Sequence, residues 1–222
     1  IDHSRFLRVP EFISTFLYYS SNSNNKFAFD FNPFISFVNE KDRRNYGVMI
    51  SPRYRFSDHF SLNYNFDFSQ QNNNIGYVGS DGMANEIFMG RRDRTTYINT
   101  LQGKFTINSD MNFNLSLRHY LSYATYNQYY SLQNDGRIIP TNHFTQNSNS
   151  NFNAWNLDLS YSWWFAPGSQ ISILYRNNAA LFENEFKRDL GTNIRNVIDK
   201  DALNHVFSIS VRYFIDYNSL KK

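Results

Sequence analysis

The sequence predicts an all-β fold: an antiparallel transmembrane β-barrel of the outer-membrane type. Three observations carry this prediction. Apolar and polar residues alternate along most of the chain, the connections alternate in length, and aromatic residues gather near strand ends. The 222 residues are 18% aromatic, yet the mean hydropathy is −0.58 because asparagine and serine fill much of the remainder. Such a composition is typical of strands with one apolar face and one wet face.

The alternation is clearest in residues 59–69, 111–123, 155–165 and 207–217, where aromatic or aliphatic residues occupy nearly every second position. Serine, asparagine and charged residues fill most positions between them, so the two sets point to opposite faces of a strand. We predict about nine strands in all. They cover residues 11–20, 26–39, 46–56, 59–69, 95–107, 111–124, 152–165, 170–182 and 203–217.

The predicted connections between these strands alternate in length. Residues 21–25, 57–58, 108–110 and 166–169 form the short set, and residues 40–45, 70–94, 125–151 and 183–202 form the longer set. Outer-membrane barrels have short periplasmic turns and longer extracellular loops. A soluble β-sandwich or a lipocalin-like barrel is the alternative, because alternation alone fits both classes. Pro33 and Pro52 mark local bulges or weak points, since proline donates no ladder hydrogen bond.

Composition excludes several other classes of protein. The chain has no cysteine, which rules out disulfides and thiolate metal sites. Its net charge of +3 is not the footprint of a nucleic-acid-binding protein. No apolar run approaches the roughly 20 residues of a membrane-spanning helix. Residue 1 is Ile and no signal peptide is visible, so we expect a mature or partial chain.

The apolar parity places aromatic residues beside the predicted periplasmic turns. Aromatic rings prefer the level of the lipid headgroups, where a ring is half desolvated and its polar tip still finds a partner. The residues predicted to form this interfacial belt are Tyr54, Phe56, Trp163, Phe165, Tyr213 and Tyr217. Trp164 has the opposite parity, so it either plugs the barrel floor or lies at a bulge. The alternative is that these aromatic residues form the core of a soluble sheet.

The polar parity places charges of both signs in the predicted lumen. These residues are Asp30, Arg53, Arg55, Asp67, Lys104, Arg118, Asp158, Arg176, Arg212 and Asp216. Opposite charges on neighbouring strands can pair, which favours a packed, salt-bridged interior. The alternative is a polar transport path.

Basic residues also gather at the predicted outer ends of the strands. The rim consists of Arg43, Arg44, Arg91, Arg92, Arg94, Lys187 and Arg188, together with Lys41. Guanidinium groups bind phosphates in a bidentate manner, and lipopolysaccharide forms the outer leaflet of such membranes. Contact with lipid A phosphates is therefore one hypothesis, and a solvated rim of loops is the other.

Catalytic and metal-binding motifs find little support. His143 lies in a predicted loop with Ser148, Ser150 and Asp135, but nothing in the sequence fixes a catalytic geometry for them. No glycine-rich phosphate loop and no metal-ligand spacing occurs. We therefore expect no cofactor, no metal and no enzymatic activity, with an outer-membrane hydrolase as a distant alternative.

Four stretches carry a resemblance to a known family. They are SRFLRVPEF at 4–12, IFMGRRDRTTYINTLQGKFTIN at 87–108, WNLDLSYSWWFAPGSQISILYR at 155–176 and NHVFSISVRYFIDY at 204–217. Together they resemble, over essentially the whole chain, the C-terminal barrel of a Bacteroidota outer-membrane family of unknown function. The most specific pieces are GRRD at 90–93 and FAPGS at 165–169. Family members usually show a Gly-Gly pair where this chain has Arg8-Val9-Pro10, so that part of the match is incomplete.

The resemblance implies an N-terminal carbohydrate-binding-like module and further strands ahead of this chain, and it supplies no catalytic residues. An odd count of about nine strands agrees, because bacterial single-chain barrels have even numbers. We therefore expect an open or partner-completed sheet; the alternative is that residues 11–20 form no strand and eight strands close alone.

The expected function is a structural or scaffolding subunit of an outer-membrane complex. Its long loops would be extracellular, and its short turns and C-terminus periplasmic. The expected partners are outer-membrane lipid, lipopolysaccharide and other surface proteins, but no nucleic acid. A channel or receptor that binds or admits glycans is the alternative, suggested by the family's companion module.

Overall fold

The computed structural model describes residues 5–82, 85–185, 187–199 and 203–215. Within these ranges the chain forms eleven strands and one helix. The strands are β1 (Phe12–Phe16), β2 (Tyr19–Ser20), β3 (Phe27–Val38), β4 (Arg44–Arg55), β5 (Phe60–Asp81), β6 (Glu86–Asn108), β7 (Met111–Leu132), β8 (Ile138–Pro140), β9 (Ser150–Ala166), β10 (Ser169–Glu183) and β11 (Asn204–Arg212); the helix is α1 (Leu190–Asp199).

All the strands belong to one antiparallel sheet, as the alternation predicts. The spatial order is β1-β3-β4-β5-β6-β7-β9-β10-β11, with β2 also paired to β3 and β8 to β7. In the part of the chain that the structure describes, β1 and β11 each pair on one side only, so the sheet is not closed into a barrel. The all-β antiparallel prediction is confirmed, and the sheet is open, as the sequence analysis expects; that it forms part of a membrane barrel stays a prediction.

The sheet has two unlike ends. The connections at the turn end are short: residues 21–26, 56–59, 109–110 and 167–168. The loop end carries the remaining connections: residues 39–43, 82–85, 133–149 and 184–203. Two of the predicted long connections are wrong in part, because most of 70–94 continues β5 and β6 as a hairpin and residues 125–132 continue β7.

The sequence pattern failed at this hairpin because its backbone is irregular. The β5–β6 ladder shifts register between Gln71 and Asn74 and again between Tyr77 and Gly79. Each shift moves the following side chains to the opposite face, which destroys a period of two. The β6–β7 ladder also shifts, between Arg91 and Arg92.

The first predicted strand, 11–20, is also interrupted. It forms the two short strands β1 and β2, and both pair with β3. The break lies opposite Pro33, whose carbonyl accepts a hydrogen bond from Leu17 N at 3.0 Å. Opposite Pro52, the β4–β5 ladder skips Ser51 and Pro52 without a register shift. Both prolines are therefore weak points of the ladder and not bulges.

Two segments cover the sheet at its loop end. The first is the N-terminal segment, residues 5–11, which two backbone hydrogen bonds hold in place. Arg8 N donates to Gly136 O at 2.8 Å, and Asn39 N donates to Glu11 O at 2.8 Å. Leu7 packs against a small cluster of Met89, Tyr130 and Leu132, as do the partly buried Ile75, Ile87 and Ile138.

Helix α1 packs mainly on β9, with smaller contacts to β10 and β7. Its N-terminus is capped by Asp189, whose Oδ2 accepts a hydrogen bond from Thr192 N at 2.6 Å. Hydrogen bonding to Thr192 lowers the pKa of Asp189. Among the described residues, no helix combines the length and the apolar character needed to span a membrane.

Candidate functional site

The two faces of the sheet are chemically distinct, and together they form the candidate site. We call the face that carries Phe60, Leu62, Tyr64, Phe66 and Phe68 of β5 the aromatic face. The opposite face, which carries Asn63, Asn65 and Asp67, is the polar face. Cross-strand register extends both faces over β3 to β10, because each residue lies beside its partner on the same face.

The predicted interfacial aromatics meet in two groups at the turn end of the aromatic face. The Tyr54 and Phe56 rings lie 4.6 Å apart, centroid to centroid, and Phe56 stacks on Phe60 at 4.8 Å. On the other side, Phe165 lies 5.7 Å from Trp163 and 6.3 Å from Tyr213. Tyr217 lies outside the described residues. Apart from that residue, every predicted aromatic of the belt falls into one of the two groups.

The turn-end belt contains further aromatics that the sequence analysis did not select. Phe60 contacts Phe105 at 6.2 Å, and Phe113 contacts Tyr161 at 4.8 Å. The exposed fraction is 51% for Phe56 and 45% for Phe105, values high for rings of this size. The sequence could have identified Phe60, Phe105, Phe113 and Tyr161, because all four have the apolar parity and lie within a few positions of a predicted turn.

A second belt lies nearer the loop end of the same face. It contains Tyr46, Phe68, Tyr97 and Tyr123, with Phe68 and Tyr97 at 5.2 Å and Tyr97 and Tyr123 at 6.5 Å. Phe68 is eight residues from Phe60 along β5. At about 3.3 Å per residue and a tilt of about 40°, that separation is about 20 Å in height. The apolar band between the girdles of known membrane barrels is of similar height, about 25 Å.

Trp164 does not join the belt. The β9–β10 ladder shifts register between Ser169 and Ile171, so β9 contains one extra residue beside Trp163. The backbone N–H of Trp164 donates to Asp110 O at 2.9 Å, and 42% of the residue is exposed. Of the two sequence explanations for its parity, the bulge is observed.

The FAPGS stretch next to Trp164 ties three strands together. Gly168 has φ +72°, the left-handed conformation that the β9–β10 turn requires. Ser169 is buried, and its Oγ accepts a hydrogen bond from Phe214 N at 3.0 Å, just beyond β11. Phe165 contributes its ring to the belt. The stretch therefore fixes both the turn and the position of the chain that follows β11.

The polar face collects the predicted lumenal charges in regular rows. One row, read across neighbouring strands, is Arg53, Asn63, Gln102, Ser116, Asp158 and Arg176. The next row toward the turn end is Arg55, Ser61, Lys104 and Asn114. Arg118 and Asp67 lie in rows nearer the loop end, and Arg212 pairs with Gln170 at the turn end. Asp216 lies outside the described residues.

The expected pairing of these charges is limited. Arg176 donates two hydrogen bonds to Asp158, at 2.7 and 2.8 Å, in a bidentate ion pair. Within the described ranges this is the one ion pair on the polar face. The other predicted lumenal cations are exposed: Arg53, Arg55, Lys104, Arg118 and Arg212.

The residues of the predicted basic rim make different contacts in the structure. Glu40 bridges Arg43, at 2.8 Å, and Arg91. Arg94 lies on the polar face, where its Nε donates to Ser122 Oγ at 3.0 Å. Lys187 pairs with Glu183 at 3.1 Å, and Arg188 follows it in the same connection. Arg44 is exposed at the start of β4.

Glu40 is a charged group whose ionisation depends on its partners. Burial by itself raises the pKa of Glu40, but the hydrogen bonds and charges of Arg43 and Arg91 outweigh burial and lower the pKa below its ordinary value. For Arg91, the same pairing outweighs burial and raises the pKa. The carboxylate therefore ties the β3–β4 connection to β6.

Each residue of the GRRD motif has a defined contact. Arg92 lies over the Tyr126 ring, 5.6 Å from its centroid, and donates to the Tyr126 hydroxyl at 2.6 Å. A Cβ at Gly90 would lie 2.4 Å from that same ring, so only glycine fits beneath it. Asp93 accepts a hydrogen bond from Asn73 N at 2.8 Å, and Arg91 binds Glu40. The motif organises the loop end and leaves little of its charge free.

A buried polar network joins α1 to the loop end of the aromatic face. Asn193 is fully buried and contacts Asn151 at 3.0 Å and Asn153 at 2.6 Å. His119, also buried, hydrogen-bonds Asn153 at 2.9 Å. His119 has the apolar parity of β7, yet it belongs to this buried polar network. No sequence signal marked Asn193.

The Ser–His–Asp combination considered from the sequence is not brought together. His143 Nδ1 lies 3.4 Å from Glu86 Oε2. Asp135 hydrogen-bonds Arg137 at 2.6 Å, which lowers the pKa of Asp135, and Ser148 N donates to the Tyr129 hydroxyl. In the described part of the chain, no hydrogen bond joins His143 to Ser148, Ser150 or Asp135.

Comparison with known proteins identifies a family and little beyond it. The model of a domain of unknown function, DUF5916, matches residues 2–222. No curated protein and no solved structure matches the chain. Because the match spans nearly the whole sequence, the chain belongs to the DUF5916 family.

Proposed function

We propose that this DUF5916 chain forms the wall of an integral outer-membrane β-barrel in a Bacteroidota-type cell envelope. The turn end and the C-terminus face the periplasm in this proposal, and the loop end faces outward. The observation that carries it is the pair of aromatic belts on one face, separated by about 20 Å. A soluble sheet would cover such a face, whereas between the belts this one carries exposed Tyr64 and Leu159.

We further propose that the protein acts as a structural or scaffolding subunit of an outer-membrane complex. Support comes from the two edges of the sheet. Every residue of β1 and β11 is exposed, and one side of each strand lacks a pairing strand within the described residues. Unpaired edges of this length invite further strands. The resemblance adds an N-terminal carbohydrate-binding-like module, which a barrel would anchor at the membrane.

A channel or receptor that admits or binds glycans is the second candidate. The polar face favours it, because a sealed, salt-bridged interior would need more ion pairs than the Arg176–Asp158 pair. Two adjoining cavities on this face, of about 380 and 370 Å³, are lined by amide and guanidinium groups that suit polar ligands. The hydrolase alternative has no assembled residues to support it.

Contact with lipopolysaccharide remains part of the proposal, in a narrower form. Arg43 and Arg91 share the carboxylate of Glu40, so exposed Arg44 is the better candidate for a lipid A phosphate. Serine substitutions of Arg43, Arg44, Arg91, Arg92, Lys187 and Arg188 that leave the co-purified lipopolysaccharide unchanged would contradict it.

The experiment that tests the main proposal begins with the full-length protein in its native envelope. A barrel protein stays with the membrane after carbonate extraction and resists unfolding by SDS at low temperature. Crosslinking followed by purification in detergent then identifies stable partners, as a scaffold requires. Release by carbonate would contradict the membrane proposal, and a membrane-bound protein without partners would contradict the scaffold alone.

A further inference from the structure

The charges on the polar face are unevenly distributed between its two ends. The rows toward the turn end contain Arg53, Arg55, Lys104 and Arg212, and the acidic residue among them, Asp158, is already bound by Arg176. The other acidic groups of this face, Asp30 and Asp67, lie in rows nearer the loop end. The turn-end half of the polar face is therefore strongly basic.

The basic residues lie close enough for their fields to overlap. Neighbouring strands are about 4.8 Å apart, and same-face neighbours along a strand are about 6.7 Å apart. Arg53 and Arg55 are thus about 7 Å apart at the backbone, and Arg53 and Lys104 about 12 Å. These separations are of the same order as the Debye length, the distance over which salt screens a charge, which is about 8 Å at physiological salt. Asp58 and Asp110 lie beyond the strands, in two of the turns.

The same residues line open space on the polar face. Two adjoining cavities share Arg53, Asn63 and Gln102, and the second also reaches Lys104 and Asn114. Arg53 and Lys104 are exposed and have no ion-pair partner in the described ranges. Guanidinium, ammonium and amide groups all supply N–H donors. Asp30 lines the first cavity as well, whereas the second cavity has no acidic residue in its lining. The part of the lining nearer the turn end therefore suits carboxylate or phosphate oxygens and repels cations.

We propose that this basic half of the polar face makes the barrel lumen selective for anions, with small carboxylates, phosphate or chloride as the permeating class. The inference rests on the proposed membrane barrel and on its channel function. Rings of arginine and lysine select anions because they raise the local anion concentration and lower that of cations. The Arg176–Asp158 pair contributes no net charge to this effect.

The test uses the full-length protein, purified from its membrane and reconstituted in planar lipid bilayers under a potassium chloride gradient. The expected reversal potential has the sign of an anion-selective pore, and chloride permeability exceeds that of potassium several-fold. Selectivity falls as the salt concentration rises, because screening weakens the lysine and arginine fields. This salt series needs no variant.

The variant R53Q/R55Q/K104Q should lose most of the chloride preference while keeping its conductance. The matched control is R8Q/R137Q/R195Q, which removes three exposed cations at the loop end and should leave selectivity unchanged. If the triple variant does not fold, K104Q alone should shift the reversal potential in the same direction.

The outcomes separate the two levels of the proposal. Absence of any conductance contradicts the channel and, with it, the anion path. A conducting pore that prefers potassium, or whose selectivity is untouched by R53Q/R55Q/K104Q, overturns the anion inference and leaves the channel standing. If phosphate permeates faster than sodium, the preference for anions holds for larger anions as well as for chloride.

Discussion

The turn end and the loop end of this sheet follow different rules. Between the two aromatic belts, the ladders of β3 to β10 run without a register shift, and the shifts at the turn end lie beside the β6–β7 and β9–β10 turns. Toward the loop end, shifts interrupt the β5–β6 and β6–β7 ladders, and Asp42 and Asn73 adopt positive φ. The N-terminal segment and α1 cover the aromatic face only there.

If the sheet is part of the proposed membrane barrel, this difference predicts where it meets lipid. A strand in the hydrocarbon region must present apolar side chains on one face and satisfy every backbone group in its ladder, so irregularity is excluded. Outside that region, water and buried side-chain amides can form hydrogen bonds with backbone groups that leave the ladder. Bulges, a helix and polar networks therefore cost less free energy there. Under the proposed barrel, the regular half therefore faces the membrane and the irregular half faces solvent.

The largest expected effect comes from a charge placed in the regular half. Leu117 lies on the aromatic face between the belts and Ser116 on the polar face beside Asp158. L117R should lower the free energy of unfolding in lipid vesicles by about 2–4 kcal/mol, because arginine near the bilayer centre is costly. S116R is the matched control and should cost under about 1 kcal/mol. Equal effects in urea titrations would break the distinction between the faces.

The second effect concerns the attachment of α1 in the irregular half. N193A removes the hydrogen bonds to Asn151, Lys187 O and Asp189 O. It should destabilise the helix locally by about 2–3 kcal/mol, since buried amides are left unpaired. Amide hydrogen exchange should accelerate in residues 187–199 and stay unchanged in the regular half.

The control for this helix is N196A, at a neighbouring and only partly buried asparagine. Acceleration of exchange in N196A as large as in N193A would show that the buried network does not hold the helix. Acceleration that spreads to β5 and β6 would show that the two halves unfold together.

The third effect is pH-dependent and local to Glu40. Its folded pKa is lowered below the ordinary 4.5 by Arg43 and Arg91. The stabilisation that the Glu40 carboxylate contributes is therefore fully present above about pH 4.5, and it is lost as the pH falls through the pKa of Glu40 in the folded state. E40Q should weaken the attachment of residues 39–43 by about 1–2 kcal/mol at neutral pH. It should also remove the pH dependence of their hydrogen exchange below pH 4.5.

The control is E11Q, an exposed glutamate whose backbone carbonyl, not its side chain, binds Asn39. E11Q should retain the acid sensitivity of residues 39–43. A pH response in E40Q identical to that of the unmodified protein would exclude Glu40 as its source.

The smallest effect is expected at the bulge in β5. Asn73 has φ +52°, and its side chain donates to Asp42 O at 3.1 Å. N73A keeps the unfavourable φ without the hydrogen bond and should cost about 1 kcal/mol, whereas N73G should be close to neutral. Limited proteolysis of the 70–94 hairpin provides the measurement. Greater sensitivity in N73G than in N73A would contradict this explanation.

The features that could be predicted from the sequence are those that period-two alternation encodes. The paired strands, their faces, the turn-end belt and the row of polar charges follow from parity, because regular ladders translate sequence position directly into a face. Residues 70–94 were misassigned as a loop because bulges break that parity. The Glu40 bridge and the Asn193 network depend on contacts between distant segments, and no local pattern marks them.

The measurement that tests the central assignment most directly compares two adjacent tryptophans. Single-tryptophan versions of the full-length protein retain either Trp163 or Trp164 and are reconstituted in vesicles that contain a nitroxide-labelled lipid. If the aromatic face contacts the membrane interface, the lipid quencher should strongly quench Trp163, which packs on Phe165 in the belt. It should quench Trp164 at the bulge much less, and aqueous iodide should quench Trp164 more. Equal quenching of both residues by the lipid, or quenching of Trp163 by iodide alone, would contradict a lipid-facing aromatic belt.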